Sequence, residues 1–453
     1  MKSVFKSLVG NTLIFAIGNS VSIILAFIMV PFYTQVLSTS DFGISDIITT
    51  TTAMLVPLVS LNVFSAVFRF ALDDNNNIEI FTNGVIISTV GATLSLIIAS
   101  ILEISGLTYS LLVGIYLAAT LFLNLFQNFT RGINHVKSFT LSGVIATVVN
   151  IVSNLLLMWA FKMGLNGYLY SLIISTVVTS LYLFFDNQLY SYIRFSDKSW
   201  TGTKELLKYS IPMIPNSFAW WLTNDANKLI VLLFLGPSSN GLLAVANKIP
   251  SMINTVFNMF SNAWQMTAVN ENGKHSTNKI YTIIFNSISG LMLIGAAIIV
   301  LCIQWFMGFY VSDKFYLAWR LVPILVLTSV FSNISGFLGT TYLVVKQTNG
   351  LITTTLWGML INILLSLLLV PIIGLNGAGL SGAIGFLAVS LLRLHQTQKF
   401  IKFEINFKFL TILLCGYVLT SGFIYMNQHL VAIGIVVIMS IYYSIITYHT
   451  IKP

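Results

Sequence analysis

The sequence predicts an all-α, polytopic integral membrane protein with about fourteen transmembrane helices, and three observations carry that reading. Of the 453 residues, 56% are hydrophobic and only 8% are charged, with a mean hydropathy of +0.89; soluble domains carry roughly 25% charged residues. Apolar runs of about 18 residues or more recur along the chain, each long enough to cross a hydrocarbon core. None shows the roughly ten-residue alternation of a barrel strand, and a backbone in lipid must satisfy its polar groups internally, which a helix does.

In order, the segments lie near 10–34, 44–68, 82–103, 107–130, 139–161, 166–190, 211–235, 241–264, 280–306, 317–343, 350–372, 375–396, 407–426 and 429–449. The first follows Lys2 and Lys6, is too long for a signal-peptide core, and reads as a retained helix. Cys302 and Cys415 each lie in an apolar run without CxxC or Cys/His spacing, so they read as packing residues. Trp159, Trp200, Trp305 and Trp319 near segment ends predict an interfacial belt, while the deeper Trp220 and Trp221 stand where a ring could stack on a sugar. Prolines at 31, 57, 212, 215, 250, 323 and 371 fall in or near the segments and predict bends.

The 22 Lys and Arg against 13 Asp and Glu leave a net charge of +9, which in a soluble chain would suggest nucleic acid. Placement argues otherwise. With the N-terminus inside, seventeen of the basic residues fall on cytoplasmic loops or segment ends, including Arg69, Arg131, Arg194, Lys204, Lys346 and Arg393. Only Lys162, Lys314 and Arg320 fall outside, as the positive-inside rule requires, and Lys228 and Lys248 lie within segments seven and eight. The basic charge is therefore topological; the partner is a lipid bilayer and not nucleic acid, with both termini cytoplasmic.

An internal repeat organises the chain. Residues 6–46 register without gaps on 204–244, pairing Lys6 with Lys204, Leu8 with Leu206 and Gly43 with Gly241. Further on, NIVSNLLL from Asn150 matches NILLSLLL from Asn362, and GLNG at 164–167 matches GLNG at 374–377. Six segments per repeat is an even number, so both halves enter the membrane in the same sense, as in parallel-repeat transporters. The expected units are a six-helix bundle at 1–198, a second at 199–400, and an additional helix pair at 401–453. GAGLSG at 377–382 fits a dinucleotide fingerprint, but it opens a membrane segment with no strand before it. Gly377, Ser381 and Gly385 at four-residue spacing read instead as a close helix-packing face.

Polar residues inside the segments are costly in lipid and tend to face the bundle interior. Segment eight carries Asn247, Ser251, Asn254, Asn258 and Asn262 along one helical face; segment seven carries Ser217, Asn224, Asp225 and Lys228. Segment two adds Asn62, Ser65 and Arg69, and segment four adds Asn124, Asn128 and Arg131. Two readings of the charges stand side by side. Asp225 and Lys228 at i, i+3 suit a structural ion pair; Lys228, Lys248, Arg69 and Arg131 also suit a cationic vestibule for an anionic head group, with Asp225 and the asparagines lining or coupling it. The five histidines form no HExxH motif or triad, so the chain reads as no enzyme, with no cofactor, catalytic residue or metal site.

Order and spacing then resemble a known family. GNTLIFAIGNSVSIILAFIMVPFYTQVLSTSDFGISD, LTNDANKLIVLLFLGPSSNGLLAVANKI and the two Asn-then-GLNG blocks resemble the Wzx-type flippases, the polysaccharide-exporting branch of the MOP superfamily. The resemblance implies a MOP/MATE-like transporter fold in the bacterial cytoplasmic membrane. It implies a substrate that is a polyprenyl (undecaprenyl) pyrophosphate-linked oligosaccharide repeat unit, flipped outward by alternating access for O-antigen, capsule or exopolysaccharide synthesis. A polysaccharide polymerase machinery is then a candidate partner. A MATE-like drug/cation antiporter would present carboxylates rather than lysines; a lipid II flippase shares the pyrophosphate and stays open as an alternative.

Overall fold

The computed structural model describes residues 25–72, 76–197, 199–271, 277–345 and 349–451, and every regular element among them is helical. In chain order they are α1 (Leu25–Val36), α2 (Thr39–Val59), α3 (Val63–Ala71), α4 (Asn77–Ile104), α5 (Ser110–Gly132), α6 (Val136–Asn154) and α7 (Gly164–Asp186). There follow α8 (Trp200–Ser210), α9 (Ile214–Ala246), α10 (Lys248–Glu271), α11 (Thr277–Tyr310), α12 (Val322–Val344), α13 (Asn349–Ile373), α14 (Leu375–Thr397), α15 (Phe407–Tyr425) and α16 (His429–Ile451). Among the described residues twelve helical stretches are long and apolar enough to cross a membrane.

That number meets the expected fourteen in two places. The first predicted segment is described only from Leu25; the rest of it lies outside the described residues. Segments seven and eight run together as one stretch, Asp225–Ser261, which turns at Gly236 (φ 78°, ψ 178°) before Pro237. Only glycine adopts that backbone readily, so the Gly-Pro pair ends one span and starts the next.

The chain divides into two compact units at Leu222 and Thr223. In the first, Val67, Phe81, Leu125, Phe129, Leu183 and Leu206 form a closed apolar core, with the rings of Phe81 and Phe129 centred 4.3 Å apart. Amphipathic α8 gives Leu206 to that core and leaves Trp200, Lys204 and Lys208 exposed. The core of the second unit stacks Trp264 on Phe337 at 4.9 Å, and the indole N–H donates to Thr340 Oγ1 at 3.1 Å. Elsewhere the long apolar side chains point outward: Leu94, Ile97, Ile98 and Ile101 of α4 are each more than half exposed. Such a patch is intolerable in water and ordinary against hydrocarbon.

The GLNG blocks share two features across the units. Gly164 (φ 55°) and Gly374 (φ 65°) take left-handed backbone at the starts of α7 and α14. Three residues on, a Cβ at Gly167 would come within 3.0 Å of the Leu157 backbone, and one at Gly377 within 2.5 Å of the Leu369 backbone. One glycine turns the chain and the other admits the preceding helix. Gly385 continues this contact against Gly358 and Asn362 of α13, and Ser381 is fully buried, which is the close-packing reading of GAGLSG.

Three expectations need correction. Cys302 and Cys415 are exposed rather than packed, since their helices turn them outward. Trp319 is buried against Tyr425, ring centres 5.4 Å apart, whereas Trp159, Trp200 and Trp305 are exposed as a belt requires. Arg393 lies near the end of its segment but is no exposed charge. It is 7% exposed, and its guanidinium donates to Thr354 Oγ1 at 3.1 Å, Thr355 Oγ1 at 2.9 Å and the Ser335 carbonyl at 2.7 Å, tying α14 to α13 and α12. Gly339 leaves room for it, because a Cβ there would lie 3.0 Å from one guanidinium nitrogen.

Candidate functional site

In the first unit the predicted second segment is broken at its polar residues. Leu61 (φ 51°) and Asn62 (φ 55°) are both left-handed, ending α2 and starting α3. Side chains replace the interrupted ladder: Ser60 Oγ donates to the Val56 carbonyl at 2.7 Å and accepts from the Asn62 amide at 3.1 Å. Asn62, 2% exposed, accepts from Ser65 Oγ at 3.2 Å. Broken spans of this kind are tolerated at membrane depth only where protein or a wet cavity satisfies the backbone.

Arg69 and Arg131 occupy the last turns of α3 and α5, where helix dipoles favour a cation. Both are exposed, and the Arg131 guanidinium lies 3.9 Å from the centre of the Phe68 ring. The two helices meet closely just there, since a Cβ on Gly132 would lie 2.7 Å from that of Ala71. The structure thus brings these arginines to one end of one unit. Asn124 and Asn128 are half-buried and turn back on their own helix, donating to the carbonyls of Thr120 at 2.9 Å and Asn124 at 2.8 Å.

In the second unit Lys228 Nζ lies 3.1 Å from Asp225 Oδ1, with side chains 19% and 32% exposed. The i, i+3 ion pair is therefore formed, and a charge-assisted contact offsets part of the cost of holding either group in the membrane. Lys248, half-buried, opens α10 directly after the turn at Asn247. Along that helix Asn254 has a buried Oδ1 with no partner among the described residues, and Asn258 is exposed. The side chains of Asn224, Asn262 and Trp220 lie outside the described residues. Trp221 is buried, stacks on Phe218 and donates its N–H to the Thr50 carbonyl at 3.0 Å, so its ring and its polar atom are both engaged.

Sequence reasoning missed two polar hubs. In the first unit Asn154 Nδ2 donates to Tyr33 Oη at 3.1 Å and to Asn150 Oδ1 at 2.9 Å, while Tyr33 meets Tyr168 edge-on at 5.5 Å. A single π turn, Leu155–Ala160, follows directly. In the second unit Asn227 Nδ2 donates to Asn362 Oδ1 and to the Ala378 carbonyl, both at 3.1 Å. The available signal was the repeat itself, which aligns Asn150 with Asn362.

A model of the family described as polysaccharide biosynthesis protein matches residues 8–265, more than half of the chain. The chain belongs to that family. No curated protein matches it. Among solved structures, a lipid II flippase, MurJ, in an inward closed conformation is similar at 15% identity, with 96% of this chain and 99% of that one covered and a TM-score of 0.70. An inward-facing multidrug-resistance MATE transporter of the MOP superfamily is similar at 16% identity, over 84% of this chain and 94% of that one, with a TM-score of 0.68. A MOP-superfamily transporter from Pyrococcus furiosus is similar at 15% identity, over 88% and 96%, with a TM-score of 0.59. This chain thus has the fold of the MOP-superfamily transporters, as the sequence resemblance implied, and is a multi-pass membrane protein.

Proposed function

We propose that this protein flips a polyprenyl-pyrophosphate-linked oligosaccharide repeat unit from the inner to the outer leaflet of the bacterial cytoplasmic membrane, by alternating access of two six-helix bundles. The family match over residues 8–265 is the observation that carries this reading. Two further features support it. The likeness to the MurJ structure covers 96% of this chain and 99% of that one. The spans of α9 and α10 also carry two lysines for one aspartate, a sign suited to a pyrophosphate rather than an organic cation.

In this mechanism Lys228 and Lys248, with Arg69 and Arg131, receive the diphosphate. Asp225 holds Lys228 until substrate arrives, and a phosphate oxygen then competes for the ammonium. Asn62, Asn124, Asn128, Asn224, Asn247, Asn254 and Asn258 offer amides to the sugars, and the polyprenyl tail stays in lipid. No ATP is hydrolysed by this chain.

Leaflet transfer in proteoliposomes tests the proposal, using a fluorescent undecaprenyl-pyrophosphate oligosaccharide and a membrane-impermeant reagent that modifies only outward glycan. Protein-dependent exposure is expected, reduced about tenfold or more in Lys228→Ala and Lys248→Ala and unchanged in Lys346→Ala. Equal transfer by all three variants at equal abundance removes the lysines from the site; no transfer by folded wild-type protein with several glycans turns the reading to a drug/cation antiporter.

A further inference from the structure

The chain that leads from α7 to α8 is pinned at a definite depth. Thr82 Oγ1 of α4 donates to the Tyr192 carbonyl at 3.0 Å and accepts from the Arg194 amide at 3.1 Å, and Asn83 Nδ2 donates to the Ser199 carbonyl at 3.3 Å. Helix α4 has 28 residues and carries an exposed carboxylate, Glu103, next to its far end. Hydrocarbon therefore stops near Leu102, and a core of roughly 30 Å takes up about 20 residues of helix. Its other border falls at Thr82 and Asn83, so these two side chains hold residues 192–199 where hydrocarbon gives way to head groups.

What is displayed at that depth is aromatic and basic. Phe195 is 64% and Trp200 80% exposed. Helix α8 is fixed from within, with Leu206 in the core and Tyr209 edge-on to Phe70 at 5.8 Å, so its outer stripe is held in place. Trp200, Lys204 and Lys208 recur every four residues along that stripe, and all are exposed, as Arg194 is. From 194 to 208 the sequence carries four basic and two acidic residues, a net charge of +2. Among the described residues no ion pair neutralises Arg194, Lys204 or Lys208, and Glu205 lies on the flank, lining the recess between α8 and α4. The second unit holds its own loop before α15 likewise. Thr282 Oγ1 of α11 accepts from the Glu404 amide and Asn286 Oδ1 from the Asn406 amide, both at 2.9 Å, with Lys402, Phe407 and Lys408 exposed.

We propose that the outer face of α8 and the loop before it bind the head groups of anionic phospholipids in the leaflet they border, which the distribution of basic residues marks as cytoplasmic. The rings of Phe195 and Trp200 enter between head groups, where an aromatic buries apolar surface while the indole N–H stays wet. Arg194, Lys204 and Lys208 then stand at phosphate level and hold phosphate oxygens, the guanidinium as a fork and the ammoniums as point charges. The depth set by Thr82 and Asn83 favours a lipid over a soluble anion. Rings so exposed would be a liability in water, and the net positive charge selects acidic over zwitterionic head groups. Acidic lipid is then a ligand of the folded chain and stabilises it by mass action.

Quenching of tryptophan fluorescence by brominated lipids tests this on the purified full-length protein in nanodiscs. It reads binding rather than transport, so its outcome is independent of the flippase proposal. The signal of Trp200, taken as wild type minus Trp200→Phe, should be quenched at least about twofold more by brominated phosphatidylglycerol than by brominated phosphatidylcholine at equal mole fraction. Arg194→Gln, Lys204→Gln and Lys208→Gln together should abolish that preference and leave the quenching itself, because the ring stays at the interface. Lys314→Gln in the other unit should change neither. Phosphatidylglycerol should also raise the melting temperature of the wild type more than that of the triple variant. Trp200 left unquenched by both lipids overturns the proposal and marks the face as one open to a soluble partner. So does equal quenching by the two lipids in the wild type, or a preference that survives in the triple variant. A preference removed by inorganic phosphate at fixed ionic strength also overturns it, since the face would then be a site for a free anion.

Discussion

The two units solve the same local problems with different residues, and the repeat allows the solutions to be set side by side. Arg393 of the second unit aligns through the GLNG register with Leu183 of the first. Leu183 is fully buried in the apolar core beside Phe81 and Phe129. Arg393, also buried, holds three neutral oxygens on two neighbouring helices. One helix is seated by dispersion and solvent exclusion, the other by directional hydrogen bonds. The hubs differ likewise: Asn150 and Asn154 are served by Tyr33, while Asn362, the counterpart of Asn150, accepts from Asn227; Asn154 Oδ1 in the one hub and Asn227 Oδ1 in the other have no partners among the described residues. The pattern of the repeat preserves which positions are interior. It does not preserve the chemistry that fills them.

Breaking the Arg393 clamp should have the largest effect. Arg393→Ala removes three hydrogen bonds from a buried charged group and opens space between three helices, and is expected to cost on the order of 3 kcal/mol or more, read as lowered thermal stability in detergent. Arg393→Leu imports the solution of the first unit and should recover part of that loss; a Leu variant less stable than the Ala variant would show that the units are not interchangeable here. The glycines of the GLNG blocks sharpen the comparison. A new Cβ at Gly377 meets backbone that cannot swing aside, at 2.5 Å, whereas at Gly167 the nearest backbone atom is 3.0 Å away. Gly377→Ala should therefore cost about 2 kcal/mol, and Gly167→Ala less than about 1 kcal/mol. Equal losses in parallel melts would mean that the contacts with the π turn after α6 and with α13 are alike.

The smallest effect concerns the turn between the first two spans of each unit. Ser38 and Gly236 are repeat partners. Ser38 closes a capping box, its Oγ accepting from the Asp41 amide at 3.1 Å and donating to the Asp41 carboxylate at 2.7 Å; Gly236 turns the chain by its backbone alone. Ser38→Ala should cost about 1 kcal/mol and Ser38→Gly only a few tenths. A larger loss for glycine would show that the first turn depends on serine for more than its cap.

How far the sequence reached depended on the kind of contact. Helices at all the expected positions within the described residues were legible, because burial of apolar surface and satisfaction of the backbone are properties of a segment by itself. The ion pair of Asp225 and Lys228 was legible for the same reason, being local to one helix. The break at Asn62 was not, because two successive left-handed residues leave no hydropathy signal when Ser60 and Ser65 supply the missing hydrogen bonds. Nor was the setting of Asn83, whose amide donates to the Ser199 carbonyl more than 100 residues along the chain.

Composition and periodicity by themselves determined that this chain is a helical membrane protein built from a repeat, and the family pattern followed from their order. The tertiary structure alone decided which polar side chains find partners. Hydrophobic burial depends on area and is nearly indifferent to which neighbour supplies it, whereas a hydrogen bond demands a donor within about 3 Å and in line. The identity of the partner for Arg393, Asn154 or Asn227 is fixed by helices that meet in space, and no spacing along the chain records it.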